Sequence, residues 1–157
     1  MSTVFTSLKQ LQRYLEVQIE DTLRTDVKDE VSKMLEKSGL ENVYDVYEPK
    51  VYMRRHGDGD SLLDPDNFNG EVNGNELTIT SSAMPNYNYN GEYDSTVKSL
   101  AELVEYGHGY KGQYYSYPFS AMGPRPFIEP TRDELAQGDT LKNIIKKGLI
   151  RHGLTVE

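Results

Sequence analysis

Cysteine and tryptophan are both absent from the 157 residues. Without cysteine the chain can form no disulfide, no thiolate zinc site and no cysteine nucleophile, although this does not identify a compartment. No apolar run approaches the roughly 18 residues of a membrane span. Met1 is not followed by the charged and apolar regions of a signal peptide, so neither membrane insertion nor a leader is expected. Bases are in the minority: 17 Lys plus Arg stand against 25 Asp plus Glu, for a net charge of −8. That argues against a general phosphate-backbone binder, which needs a cationic surface. The hydrophobic share, 36%, is also low for a globular domain, whereas 12 tyrosines accompany only 4 phenylalanines. The length suits a single domain over residues 1–157.

The clearest element is an N-terminal helix over about residues 7–38. Leu8, Leu11, Leu15, Ile19, Leu23, Val27, Val31 and Met34 recur every three or four residues and line one face. Ser7 with Gln10 forms a capping box, and Gly39 supplies a stop. So long a one-sided helix needs a broad surface beneath it, either a sheet or a neighbouring subunit. Residues 43–55 alternate imperfectly and are interrupted by Pro49. A hairpin-rich sheet region is expected over about 43–84, with a hairpin at 71–84 turning on Asn73-Gly74 and placing Leu77, Ile79 and Ser81 on one face. A short helix follows at about 95–106, then a Tyr, Gly and Pro loop over 107–127. The last helix spans about 130–152, broken at Gly138-Asp139 with Asp139 capping the second piece, and stops at Gly153. Lys142, Lys146, Lys147 and Arg151 crowd its final turns, where cations complement the helix dipole. Residues 51–130 hold more than twice as many acids as bases, so the middle of the chain carries most of the negative field. The fold class read from these segments is α+β.

Few residue groupings carry chemistry. Asp58, Asp60, Asp64 and Asp66 cluster, but an EF-hand started at Asp64 places Phe68 and Asn75 where ligands belong. His56, His108 and His152 share no metal-ligand spacing. No nucleophile elbow or phosphate-binding loop occurs. The expectation is therefore a protein without catalytic residues, cofactor or metal. The tyrosines say more. Tyr87, Tyr89, Tyr93, Tyr106, Tyr110, Tyr114, Tyr115 and Tyr117 fall within one third of the chain. Tyrosine gives large contact area with a polar tip, which suits a partner interface. The same residues would also serve to cover the loop's own small core. Stacking on single-stranded nucleic acid wants interleaved cations, and only Lys98 and Lys111 lie between Tyr87 and Tyr117.

The run Leu103-Val-Glu-Tyr-Gly107, a loop, Arg125-Pro-Phe-Ile-Glu-Pro130 and a helix ending in Lys-Lys-Gly-Leu149 resembles the tail-completion (head–tail joining) proteins of long-tailed bacteriophages. The order of elements agrees over most of the chain. His108 stands where threonine is usual and Thr131 where alanine is usual. Segment 109–124 is long, and residues 40–66 have no counterpart. The resemblance implies helices packed on a mostly antiparallel sheet with long tyrosine-rich loops. It also implies a homo-oligomeric ring, commonly a hexamer, between a portal-side adaptor and the tail terminator or tail tube, with no catalysis. Glu105 and Gly107 would position the turn after the short helix, and Arg125, Pro126 and Phe127 would anchor the loop onto the sheet. Tyr110, Tyr114, Tyr115 and Tyr117 are the corresponding interface candidates. The implied location is the virion neck, assembled in the host cytoplasm, with genome DNA passing without sequence-specific binding; an acidic wall would keep the duplex from sticking. The other reading, from the tyrosines alone, is a non-viral adaptor module gripping a protein partner.

Overall fold

A computed structural model describes residues 5–46, 61–83, 99–106 and 124–156. It is α+β, and its spine is one helical path from Leu8 to Tyr44. This comprises α1 (Leu8–Thr22), a π-helical turn (Leu23–Val27), α2 (Lys28–Gly39) and a second π-helical turn (Leu40–Tyr44). At its start the Gln10 amide donates to Ser7 Oγ, and Gln10 Oε1 accepts from the Thr6 amide. The reciprocal box is thus made one residue upstream of the expected partner.

The apolar stripe is buried only in its second half. Val27, Val31, Leu35 and Val43 are core residues, whereas Leu11, Leu15, Ile19 and Leu23 are half-buried and Leu8 is 85% exposed. A stripe repeating every four residues drifts about 40° per step around an α-helix of 3.6 residues per turn. The wider π turns take up the extra residue and hold the stripe against one side. Gly39 does not end the helix, as expected from sequence; its backbone stays helical at φ −67°. Its role is clearance, since a Cβ there would lie 2.2 Å from Leu63 Cδ2.

The sheet, among the described residues, is one antiparallel hairpin, β1 (Phe68–Asn73) with β2 (Glu76–Ser81). It turns on Gly74 and Asn75, because Asn73 pairs with Glu76. Gly74 has φ +61°, and among the described residues only glycines have positive φ. That is the type II′ pattern, with glycine first, instead of the Asn73-Gly74 turn expected. Val72 opposes Leu77 and Gly70 opposes Ile79, and Leu77, Ile79 and Ser81 share the less exposed face as anticipated. Asp64 caps the 3-10 turn Pro65–Asn67 that leads into β1, accepting from the Asp66 amide at 2.9 Å.

Three helices close the molecule: α3 (Leu100–Tyr106), α4 (Ile128–Ala136) and α5 (Thr140–Arg151). The expected break falls at Gly138, with φ +70°. Asp139 does not cap α5 through its side chain, which pairs instead with Lys142 at 3.6 Å; its carbonyl takes the Asn143 amide. Gly153, at φ +87°, ends α5 as expected, with the amides of Gly153 and Leu154 returning to Ile150 and Leu149. The core joins the second half of the spine to Leu62, Leu63, Phe68, Ala83, Ala101, Val104 and Phe127.

Candidate functional site

Four residues singled out from the sequence, Glu105, Arg125, Pro126 and Phe127, meet at one joint between α3, α4 and the end of the spine. Glu105 lies at the end of α3 and is buried. Its Oε2 accepts from the amides of Phe127 (2.8 Å) and Ile128 (2.9 Å), and its Oε1 from that of Glu129 (2.8 Å). A helix leaves its first amides without internal partners and carries partial positive charge there. One ionised carboxylate answers both needs with three charge-assisted bonds. This explains why α4 begins at Ile128, ahead of the Pro130-Thr131 start read from sequence: its cap arrives from another helix.

Arg125 fixes the approach. Its amide donates to the Val104 carbonyl at 3.0 Å, and its guanidinium Nη1 donates to the Val43 carbonyl at 3.4 Å, near the C-terminal end of the spine. Pro126 restricts Arg125 to extended backbone, and Phe127 follows with its side chain fully buried. Thr131 Oγ1, one turn on, donates to the Phe127 carbonyl at 2.9 Å. The anchor thus reaches the spine and α3, where an anchor on the sheet had been expected. Gly107, Tyr110, Tyr114, Tyr115 and Tyr117 lie outside the described residues, as do His56, Asp58, Asp60 and His108.

A second joint was not foreseen. Asp26, in the first π turn, is buried and receives Arg151 Nη1, and His152 Nε2 lies 2.9 Å from its Oδ2. Thr25 Oγ1 donates to the Asp21 carbonyl at 2.7 Å and stands 3.4 Å from the same His152 nitrogen. In a hydrolytic triad the acid and the nucleophile engage opposite imidazole nitrogens; here both face Nε2, so the cluster does not have that geometry. Beside it, Gly148 lets α5 cross the spine closely: a Cβ would meet Thr22 Cγ2 at 2.5 Å and Asp26 Cβ at 3.0 Å. The sequence signal was faint, since Asp26 and its partners are about 125 residues apart.

The two joints hold the helices together. Some large apolar side chains also face outward: Leu8, Val46, Tyr106 and Ile150 are each more than half exposed. Among the described residues no three His, Asp or Glu side chains gather in a metal-holding group, and no helix is long and apolar enough to cross a membrane.

A family model, YomN, matches the chain over residues 7–151. No curated protein and no solved structure matches it.

Proposed function

Since the chain belongs to the YomN family, a phage-derived, Bacillus prophage-type protein family, we propose that it is a virion structural protein of the head–tail connector. It acts by assembly. Copies form a closed ring in the neck, seated between a head-side adaptor and the tail terminator or tail tube, and put together in the host cytoplasm. Genome DNA passes through without sequence-specific contact, and no bond is made or broken by the protein.

The observation that carries this reading is the family match, which spans nearly the whole chain. The fold supports it physically. A subunit that completes itself hides its large apolar side chains, and contiguous exposed ones mark surfaces for partners. Here the apolar stripe of the spine runs out of its own core at Leu8, and Leu141 and Ile150 of α5 face solvent. The rigid joints at Glu105 and Asp26 suit a part whose outer surfaces must be held in fixed relation to its neighbours.

The test is genetic and structural. Phage particles made without this chain should accumulate as filled heads and separate tails that electron microscopy finds unjoined. Joined, infectious particles in its absence would refute the proposal.

A further inference from the structure

Helix α5 runs against the charge of the chain. It holds Lys142, Lys146, Lys147 and Arg151 and no acid, in a protein of net charge −8. Lys142 reaches Asp139 at 3.6 Å, and Arg151 reaches the buried Asp26. Lys146 is half-buried and has no carboxylate partner among the described residues. It lines an open groove of about 470 Å³ beside α4 and α5. The rest of that lining is mostly apolar, with Leu135 from α4 and Leu141, Ile145 and Leu149 from α5. Leu141 is 37% exposed and the other three are half-buried, so the subunit does not finish covering them.

Two rows run side by side along this lining. Leu141, Ile145 and Leu149 repeat every fourth position and form a ridge about 12 Å long. Lys142 and Lys146 form a second row of the same step, one position on. A ridge of step four is what one α-helix packs into the groove of another. A duplex, by contrast, is held through its phosphates by cations and makes no use of an apolar ridge. A bilayer takes an apolar face that stands out from the protein, not one set in a groove. The lysine row adds the sign of the occupant, since a cationic partner would be repelled and an acidic one supplies what Lys146 lacks.

We propose that the groove receives an acidic amphipathic helix of another protein. The incoming helix seats an apolar row against Leu135, Leu141, Ile145 and Leu149, in the helix-in-groove manner. Carboxylates in the neighbouring row of that helix face Lys142 and Lys146. A second copy of this chain is a poor source of such a helix. Its own matching rows, Leu15, Ile19 and Leu23 with Glu16 and Glu20, have their leucines and isoleucine already half-buried in their own subunit. The inference goes beyond the assembly reading above and does not rest on it.

The full chain is titrated against fluorescein-labelled synthetic helices of about 16 residues and followed by fluorescence anisotropy. One helix carries adjacent leucine and glutamate rows of step four. A second has lysine in place of each glutamate, and a third has the residues of the first in scrambled order. The glutamate helix should bind about tenfold more tightly than either of the others. Lys142→Glu with Lys146→Glu should turn the preference toward the lysine helix, a reversal that loss of folding does not produce. Leu141→Asp should weaken the glutamate helix about tenfold. Equal binding of all three helices, or binding of none, would overturn the proposal and leave the assembly reading to its own test. Tighter binding to phosphatidylglycerol vesicles or to a DNA duplex, abolished by the double lysine change, would overturn it in favour of a phosphate-binding surface. Oligomers of the chain that Leu141→Asp dissociates would overturn it in favour of a contact between copies.

Discussion

Replacing Glu105 by alanine strips three amides of their acceptor at once. Those of Phe127, Ile128 and Glu129 now stand 2.8–2.9 Å from the carboxylate. The bond to Phe127 is buried, where an unmatched donor costs about 1–3 kcal/mol. The other two are half-buried, so water replaces much of what they lose, at about 0.5 kcal/mol each. Truncating a buried side chain adds to this, and about 3 kcal/mol is expected in all. Glu105→Gln keeps one acceptor oxygen but turns an NH₂ toward the amides, for about 1.5 kcal/mol. Against a total stability of about 5–15 kcal/mol, the alanine variant loses a large fraction. The assay is urea unfolding followed by circular dichroism, with the midpoint shifting and the slope preserved. Thermal unfolding should begin roughly 10 °C lower. An alanine variant within about 0.5 kcal/mol of the parent would refute the capping role. So would a glutamine variant as damaging as alanine.

Further outcomes are expected from the same measurements. Gly148→Ala should cost about 1–3 kcal/mol despite alanine's better helix propensity, because its Cβ meets Thr22 and Asp26; a stabilised variant would contradict the close crossing. Gly74→Ala meets no atom within 4 Å, so its cost, about 1 kcal/mol, comes only from the positive φ of the turn. Asp26→Asn should cost about 1–2 kcal/mol, limited because Arg151 is well solvated. A double-mutant cycle with His152→Ala should show coupling, and strict additivity would deny the contact. By contrast, Lys33→Ala removes only an exposed pair with Glu30 and should leave the urea midpoint where it is.

What was legible in the sequence was whatever short-range periodicity and turn chemistry decide. The leucine and valine stripe, the hairpin with Leu77 and Ile79 inward, the break at Gly138 and the stop at Gly153 all follow from residues within a few positions of one another. What was hidden depends on distant partners. Glu105 is singled out by the resemblance as positioning a turn, but its role as the cap of α4 shows only once Phe127 arrives above it, and Asp26 reads as part of a solvated face until α5 brings Arg151 and His152. Gly39 has the composition of a stop and the function of a clearance, which only Leu63 reveals. The π turns have no residue signature; they follow from a period of four that an α-helix cannot keep in register. Of the site residues read from sequence, Glu105, Arg125, Pro126 and Phe127 converge on one joint. The tyrosines at 110, 114, 115 and 117, with Gly107, belong to a segment outside the described residues.

Sedimentation velocity of the purified chain over a wide concentration range tests the assembly claim most directly. A discrete, closed oligomer whose population grows with concentration is the expected result; a single species of monomer mass throughout would contradict it.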